Sequence, residues 1–370
     1  MNRIEKLMKA LPEGADAALI TSDVNRRYFT GLGSSAGTLV AFRNTAYFII
    51  DFRYIEIAKA TVTGAEVILQ DKLYEQIGAL LKKHGAKTVA IETGYVTVGA
   101  LETYRERLPE YEFLTDATLN DEILEMRSIK DESEIAAIRK AQSITDASFL
   151  EILDFIKAGK TEKEIAAYLE YCMRRLGADG LAFETIAASG PNSAKPHAEP
   201  GDRPLQQGDF FTMDYGAYWG GYCSDMTRTV AIGEPTDEMR KVYDTVLAAQ
   251  LLGIEKAVEG ASCRAVDAAA RDLIYNAGYE GCFGHSLGHS VGIEIHEMPG
   301  FSPSIAPETT CRQGMVITVE PGIYLEGRFG VRIEGLVCAR WHKRSDKQPQ
   351  RADYPVKNPC NQPLLYVKIR

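Results

Sequence analysis

The sequence predicts an α/β domain followed by an α+β domain that contains an internal pseudo-twofold repeat. Apolar β-rich segments and helical stretches alternate in the first part of the chain, and a pair of helices followed by glycine-rich strands occurs twice in the second part. A chain of 370 residues has room for two domains of about 150 residues each. We expect an N-terminal domain over 1–122, a catalytic domain over 123–340 and an atypical C-terminal tail over 341–370.

The first domain is predicted from its strand and helix signals in order. Five short segments rich in apolar and β-branched residues are typical of buried strands: AALI, GTLVAF, TAYFII, AEVIL and TVAI. Helical stretches lie between them and after them, over 52–60, 72–83 and 98–108. Such alternation favours an α/β domain. The charged segment MRSIKDESE then leads into a long helical pattern, and we place the domain boundary there.

The second domain is predicted from its repeat. A helical stripe over 135–156 stops at Gly159, and the capping box Thr161–Glu164 opens a second helix. The pattern returns with a helix over 237–260 and another capped by Ser262. Glycine-rich β segments follow each pair. We expect two similar halves whose strands join into one curved sheet with helices outside, and a cleft between the halves is a natural place for a site.

Composition and charge narrow the class of function. The chain has 51 acidic and 42 basic residues and a net charge of -9, which argues against a nucleic-acid groove or a broad face for anionic membranes. Its start lacks an apolar run of signal-peptide length, and no segment approaches the ~20 apolar residues of a spanning helix. The 7 cysteines are scattered and form no CxxC pair, so neither a disulfide framework nor a zinc ribbon is indicated. We expect a cytoplasmic protein.

Two aspartates flank a predicted β-hairpin. The segment FFTMDYGAYWGGYCSDMTRTVAI has β-rich arms around Gly220 and Gly221, a strong two-residue turn signal. With that turn, Asp225 lies opposite Gly216 and two residues from Asp214, so both carboxylates project from one face. Like charges held so close raise each other's pKa unless a cation lies between them. A solvated pair is the ordinary alternative, and a metal is the simplest remedy for the repulsion.

Histidines and two further glutamates strengthen the metal interpretation. His285, His289 and His296 lie in GHSLGHSVGIEIHEMPG, and His197 lies in KPHAEP, so four of the 6 histidines occupy two glycine- and proline-rich stretches. The glutamates Glu320 (TVEPGIY) and Glu334 (VRIEG) lie in or at the ends of predicted strands, where a carboxylate is costly to bury unless it is paired or coordinated. Arg332 shares a face with Glu334, and an ordinary salt bridge between them is the competing interpretation.

Two aspartates, two glutamates and one histidine are enough donors for two divalent ions about 3.5–4 Å apart. Oxygen-rich sites with one imidazole suit Mn²⁺, with Co²⁺ or Zn²⁺ as alternatives, whereas a structural zinc prefers Cys and His. A water that bridges two such ions has its pKa lowered toward neutrality and attacks a carbonyl. These residues therefore predict hydrolysis without a covalent enzyme intermediate.

At these residues the sequence resembles the pita-bread metallopeptidases, the family of methionine aminopeptidase, aminopeptidase P and prolidase. The resemblance covers about 123–337 through PHAEP, TMDYG, SDMTRT, GHSLGHSVGIEIHE, VEPGIY and VRIE in order, and IIDFRYIEIA resembles the N-terminal domain of the creatinase, prolidase and aminopeptidase P branch. It implies a dinuclear enzyme that cleaves Xaa-Pro bonds at the amino end of peptides, with peptides that have proline second as partners. It also implies a homodimer.

The resemblance implies a role for each candidate residue. Asp225 and Glu334 would bridge the two ions, Asp214 would bind one ion, and His289 with Glu320 would complete the other. The resemblance also implies roles around the metal ligands.

His296 would stabilise the scissile carbonyl, and Glu320 is the candidate general base. His197 and His285 would line the substrate cleft, and Tyr324 and Arg332 would support the metal ligands and the substrate site. The proton for the leaving nitrogen would come from His197, His296 or Glu320.

The sequence departs from the family pattern at one place and leaves alternatives open. The family usually continues VRIED, whereas Gly335 follows Glu334 here, and from Cys338 onward the chain does not resemble the family's closing strand. A methionine aminopeptidase shares the metals but normally lacks a large N-terminal domain. A creatinase-like amidinohydrolase should not keep all five ligands, and neither should a catalytically silent pita-bread binding module.

Overall fold

The structure is a computed structural model and describes residues 2–338 and the backbone of 366–367. The chain divides into two compact units, Met1–Arg127 and Ser128–Arg370. The domain boundaries predicted from the sequence, 1–122 and 123–340, stay predictions. The predicted tail over 341–370 lies outside the described residues except for the backbone of Tyr366–Val367. Among the described helices, none has the length and apolar composition needed to cross a bilayer.

The first unit is built around a six-stranded sheet of order β4-β3-β2-β1-β5-β6. Its strands are β1 (Ala17–Ile20), β2 (Thr38–Phe42), β3 (Ala46–Ile50), β4 (Glu66–Leu69), β5 (Thr88–Ile91) and β6 (Glu112–Leu114). Its helices are α1 (Arg3–Lys9), α2 (Asp23–Thr30), α3 (Ile55–Thr61), α4 (Leu73–Lys83), α5 (Val98–Arg107) and α6 (Thr118–Ser128). The central strands β1, β2 and β3 are buried along their whole length, which explains why they appear in the sequence as unbroken apolar runs.

The first half of the second unit begins with the predicted helix pair. Its elements are α7 (Glu132–Phe155), α8 (Glu162–Arg175), β7 (Gly180–Leu181), β8 (Ile186–Ser189), a 3₁₀ turn (Gly190–Ala194), β9 (Phe210–Tyr215), β10 (Ala217–Trp219), β11 (Tyr222–Cys223) and β12 (Met226–Ile232). The predicted capping box is present, because Thr161 accepts from the backbone N–H of Glu164 and the Glu164 side chain accepts from the backbone N–H of Thr161.

The second half repeats the plan of two helices and then strands. Its elements are α9 (Asp237–Lys256), α10 (Cys263–Ile274), a π turn (Tyr275–Tyr279), β13 (Gly288–Ser290), β14 (Glu297–Phe301), β15 (Val316–Val319), β16 (Gly322–Leu325), β17 (Phe329–Arg332) and β18 (Gly335–Cys338). A last short strand, β19 (Tyr366–Val367), pairs with β12. Ser262 stands at the predicted N-cap of α10, but its hydroxyl donates to the Pro307 carbonyl instead of capping the helix.

The strands of the two halves form separate four-stranded sheets, not the single curved sheet expected from the sequence. Their orders are β19-β12-β9-β8 and β14-β13-β15-β18. Side chains take up carbonyl groups where the halves meet: Thr229 Oγ1 donates to the Arg332 carbonyl at 2.9 Å, and the Arg228 guanidinium donates to the Glu334 carbonyl at 2.6 Å. The backbone N–H of Glu334 also donates to the Thr227 carbonyl at 3.2 Å, so the halves are joined by side-chain contacts and a backbone hydrogen bond between two separate sheets. The α/β domain and the α+β domain with two similar halves are otherwise as predicted.

Candidate functional site

The second unit contains a cavity of about 1130 Å³ whose lining comes from both halves. Eight of the residues singled out in the sequence line it: His197, Asp214, Asp225, His285, His289, His296, Glu320 and Glu334. Arg332 also lines it, and Tyr324 reaches it through a hydrogen bond to His285. Side chains spread over more than a hundred positions therefore meet at one cleft.

The predicted hairpin places the two aspartates. Gly220 and Gly221 have φ of 59° and 91°, and Trp219 pairs with Tyr222 across the two-residue turn, as the sequence predicts. Farther along, β9 and β12 pair Tyr215 with Met226, so the register continues to the positions of both aspartates. Both carboxylates are buried. The hairpin thus holds two acidic side chains on one inward face.

A glycine and two hydroxyls fix the hairpin between these aspartates. A Cβ on Gly216 would overlap with the carbonyl oxygen of Ser224 on the opposite arm. The hydroxyls of Thr145 and Ser224 lie 2.7 Å apart, and both accept from the backbone N–H of Ala217, at 2.9 and 3.0 Å. Because Thr145 belongs to α7, this buried network attaches the hairpin to the first helix of the unit.

Strands of the second half bring the imidazole and the glutamates. His289 lies in β13, and its Nε2 is 3.4 Å from a carboxylate oxygen of Asp225 and 3.4 Å from one of Glu320. The Thr318 hydroxyl accepts from the backbone N–H of His289 at 2.9 Å and donates to Glu320 Oε1 at 2.9 Å. Thr318 therefore fixes the imidazole strand and the glutamate relative to each other.

Glu334 is the most deeply buried carboxylate of the set, at 1% exposure. Its Oε2 accepts from the Thr227 hydroxyl at 2.6 Å, while its Oε1 has no hydrogen-bond partner although it is buried. Asp214 Oδ1 is likewise buried without a partner. Ligand atoms of Asp225, His289 and Glu334 all lie within 4.8 Å of one another. Unpaired buried carboxylate oxygens beside other carboxylates are costly unless a cation joins them.

Electrostatics at the cluster favour neutral forms when no cation is bound. Burial, together with the neighbouring carboxylates of Glu334 and Asp214, raises the pKa of Asp225 well above its usual value. Burial and the charges of Glu320 and Asp214 raise the pKa of Glu334 in the same way. Burial raises the pKa of Glu320 to about 8 and lowers the pKa of His289 to about 4. His289 is therefore a neutral imidazole, the form that binds metals.

Arg332 joins the carboxylate cluster to the histidine side of the cleft. Its guanidinium forms an ion pair with Asp214 at 2.6 Å and donates to the hydroxyl of Tyr324 at 2.9 Å. Tyr324 and His285 Nε2 lie 2.8 Å apart, and burial lowers the pKa of His285 to about 4. Burial opposes the charge of Arg332, but Tyr324, Asp214 and Glu320 together raise its pKa well above the ordinary value. The sequence suggested a salt bridge of Arg332 with Glu334, whereas in the structure Arg332 forms its salt bridge with Asp214.

The remaining predicted residues lie at the open side of the cavity. His197 and His296 are exposed lining residues. The ring of His296 contacts the ring of His289 edge-on, with centroids 4.3 Å apart. The structure therefore brings the predicted side chains to one cleft, and their chemical roles stay predictions.

Sequence reasoning missed several residues that hold this cluster. Thr227 and Thr318 each precede or follow a candidate ligand by two positions in a strand, so the period of two could have identified them as sharing its face. Lys130 and Glu297 form a buried ion pair beside the cleft. No local pattern signals that pair, because its members are 167 positions apart in the chain.

The donor set fits divalent metal ions. Four carboxylates and a neutral imidazole meet where two carboxylate oxygens lack any other partner. Such oxygen-rich sets with one imidazole suit Mn²⁺, Co²⁺ or Zn²⁺ in a catalytic site. A structural zinc is a poor match, because no cysteine is among the described cavity-lining residues.

Comparisons with known proteins cover both parts of the chain. Residues 136–340 match the family described as metallopeptidase family M24, and residues 1–129 match the creatinase/prolidase N-terminal domain. The chain is 38% identical over 338 residues to an Xaa-Pro dipeptidase of Pyrococcus furiosus, covering 90% of this chain and 94% of that protein. A solved Xaa-Pro dipeptidase from Bacillus anthracis matches with a TM-score of 0.87 and 39% identity, covering 91% of this chain and 94% of that one. An X-Pro aminopeptidase structure from Thermotoga maritima matches with a TM-score of 0.85 and 38% identity, covering 91% and 95%.

Proposed function

The chain belongs to metallopeptidase family M24, and from this premise we propose that it hydrolyses the Xaa-Pro peptide bond at the amino end of peptides. The observation that carries the proposal is the convergence of four carboxylates and one neutral imidazole at a single cleft of the catalytic unit. Relatives whose names specify Xaa-Pro dipeptidase or X-Pro aminopeptidase activity, similar over nine-tenths of the chain, support the choice of bond.

Two divalent ions, with Mn²⁺ as the first choice and Co²⁺ or Zn²⁺ as alternatives, are the proposed cofactors. Asp225 and Glu334 would be held in common by the two ions, Asp214 would bind one of them, and His289 with Glu320 would bind the other. When bound, such a pair of ions lowers the pKa of an intervening water and polarises the carbonyl under attack. The unpaired oxygens of Asp214 and Glu334 support this assignment, since each has an acceptor lone pair that the protein leaves unused.

The chain's own residues supply the remaining chemistry. Glu320 is the proposed general base: in its ionised form it accepts the proton of the attacking water, and the burial that raises its pKa to about 8 in the metal-free protein makes its carboxylate a stronger proton acceptor than an ordinary one. His296 donates to the oxygen of the scissile carbonyl as negative charge develops on it. The leaving nitrogen of an Xaa-Pro bond has no hydrogen before cleavage, so Glu320, His296 or His197 delivers a proton to that atom. His197 and His285 bind the substrate beyond the cut.

Arg332 and Tyr324 are proposed to act through the metal ligand Asp214 and the substrate-binding residue His285. The ion pair of Arg332 with Asp214 fixes one carboxylate oxygen at 2.6 Å and leaves the other available. Tyr324 accepts from Arg332 and contacts His285, so it couples the metal side of the cleft to the substrate side. Both residues are therefore proposed to orient ligands and substrate. A homodimer in the cytoplasm is the proposed form of the enzyme.

A substrate panel tests the proposal. Purified protein loaded with Mn²⁺ or Co²⁺ is given Gly-Pro, Gly-Pro-Gly and longer Xaa-Pro peptides, and release of the first residue is measured by chromatography. Cleavage that stops when proline is replaced by alanine supports the proposal, and the length series separates a dipeptidase from an aminopeptidase. Cleavage of Met-Ala-Gly in preference to the Xaa-Pro peptides would indicate a methionine aminopeptidase. Bound metal with no cleavage of any peptide would refute the proposed activity and favour a binding module.

A further inference from the structure

A buried ion pair lies beside the cleft and has no part in the chemistry described above. Lys130 Nζ is 3.1 Å from Glu297 Oε2, and the two side chains are 1% and 3% exposed. Transferring two charges from water into the protein interior costs free energy that can exceed their mutual attraction. A buried ion pair is therefore weak evidence for stability. A role in fixing local geometry is the better explanation to test.

The carboxylate of Glu297 organises the turn that precedes it. Its Oε1 accepts from the backbone N–H of Ile293 at 3.1 Å and of Glu294 at 3.3 Å. The same carboxylate packs against Gly292, where a Cβ would overlap with it. A hydrogen bond to an ionised acceptor is stronger than one to a neutral acceptor, so the charge of Glu297 strengthens the turn.

The turn over 291–296 connects two candidate site residues. His289 precedes it, His296 ends it, and the two rings contact each other edge-on with centroids 4.3 Å apart. The Gly292 carbonyl accepts from the backbone N–H of Cys223 at 2.8 Å, in the hairpin strand just before Asp225. A displacement of the turn would therefore move the exposed His296, which ends the turn and directly precedes β14, whereas His289 lies within β13 and Cys223 within β11.

Lys130 is itself held in place. Its backbone N–H donates to the Gly314 carbonyl at 3.0 Å, in the turn that leads into β15. It stands at the entry to α7, one residue before the N-cap Asp131. The ammonium group of Lys130 therefore extends from a fixed backbone position and holds the carboxylate of Glu297 in place.

We propose that Lys130 and Glu297 form a positioning pair that holds His296 in the orientation needed for catalysis. The inference rests on the proposed peptidase function, because it assigns the pair an effect on turnover through His296. Neither residue of the pair is proposed to touch the reacting atoms. Removing the pair should lower kcat while leaving KM and metal binding close to their original values.

The principal test uses a neutral double variant, Lys130→Met with Glu297→Gln, which avoids leaving a lone buried charge. Steady-state kinetics on Gly-Pro-Gly should show kcat reduced about 10–100-fold, since misplacement of a catalytic group by about 1 Å costs on that order. KM should change less than about threefold, and Mn²⁺ affinity measured by isothermal titration should stay within the same limit, because the metal ligands keep their own contacts. Unchanged kcat would overturn the inference.

A double-mutant cycle distinguishes positioning from general destabilisation. In a His296→Ala background the pair substitution should change kcat by less than about twofold, because residues that act as a unit are not additive. An undiminished further loss would show that the pair does not act through His296. As a matched control for lost stability, Ile152→Val removes a methyl group from a fully buried position of α7 and should leave kcat unchanged at temperatures below unfolding.

A conservative variant keeps the test decisive if the double variant does not fold. Glu297→Asp keeps both charges but shortens the carboxylate by one methylene, so it withdraws the acceptor from the turn while Lys130 keeps an ionic partner. It should lower kcat with KM almost unchanged, and wild-type kcat in this variant would contradict the inference. A wild-type protein without any Xaa-Pro cleavage would instead refute the proposed function. The two failures are therefore distinguishable.

Discussion

Replacing Asp225 with asparagine should stabilise the metal-free protein at pH 8 while abolishing metal-dependent peptidase activity. Ligand oxygens of Asp225 and Glu334 lie within 4.8 Å of each other. At an effective dielectric constant of about 20, two unit charges at that separation repel each other by roughly 3.5 kcal/mol. The amide carries no charge, so the substitution removes this repulsion and changes the side-chain volume little.

Proton uptake already relieves part of the repulsion in the wild-type protein. Burial and the nearby carboxylates raise the pKa of Asp225 well above its usual value, so proton uptake by this carboxylate offsets part of the repulsion in the metal-free protein. We therefore expect a net gain on the order of 2 kcal/mol, which corresponds to a rise in Tm of about 4–8 °C for a unit of this size. In the presence of Mn²⁺ the wild type should instead be the more stable protein, because it gains metal-binding free energy that the variant cannot recover.

Calorimetry in excess chelator measures the first effect, and turnover of Gly-Pro-Gly with Mn²⁺ measures the second. Activity should fall by more than the roughly 100-fold that loss of an outer hydrogen-bond partner costs at metal sites. Asp209→Asn is the matched control with the opposite sign: Asp209 is paired with Arg203 at 2.6 Å, so its amide variant should be less stable. A metal-free Asp225→Asn protein that melts below the wild type, or that keeps Mn²⁺-dependent turnover, would refute the reasoning.

Three further predictions concern the same site. The metal-free protein should lose stability as pH rises: burial raises the pKa of Glu320 from 4.5 to about 8, so the folded state keeps a proton that the unfolded state releases, and the stabilisation present below the unfolded pKa is lost as pH passes the folded one. Melting curves in chelator from pH 7 to pH 9 check the sign, because His285 and His289, whose pKa values burial lowers from 6.5 to about 4, are neutral over this range in the folded and the unfolded state, and a higher Tm at the alkaline end would contradict it. Gly216→Ala should cost about 1–3 kcal/mol of stability by overpacking against Ser224, and Gly180→Ala, whose Cβ would meet no atom closer than 3.9 Å, serves as its calorimetric control. Thr318→Val removes the hydroxyl that serves both His289 and Glu320, so Mn²⁺ affinity in isothermal titration should fall about 10–100-fold, and wild-type affinity would show that this hydroxyl is dispensable.

The sequence could predict the class of fold because local rules govern its elements. The strands and helices of the first unit follow apolar runs, and the capping box at Thr161 and the turn at Gly220 depend on residues next to each other in the chain. Family membership and the class of enzyme were likewise evident from ordered motifs, and the comparisons confirm both. The seam between the two four-stranded sheets was not predictable, because the contacts across it, such as those of Arg228 and Thr229 with carbonyl groups of the second half, join residues 106 and 103 positions apart.

The candidate site divides in the same way. The chemistry of its ligands was visible in the sequence, since carboxylates inside strands are costly to bury unless they are paired or coordinated, and histidines are concentrated in two glycine- and proline-rich stretches. Whether those side chains converge, and which oxygens remain unpaired, was decided by the tertiary structure. The pairing of Lys130 with Glu297 is the clearest case: each residue is ordinary in its own segment, and their attraction exists only because folding places both in one water-poor interior. Periodicity and turn chemistry act over a few residues and can be recognised along the chain, whereas burial and charge pairing between distant segments depend on distances that no local sequence pattern contains.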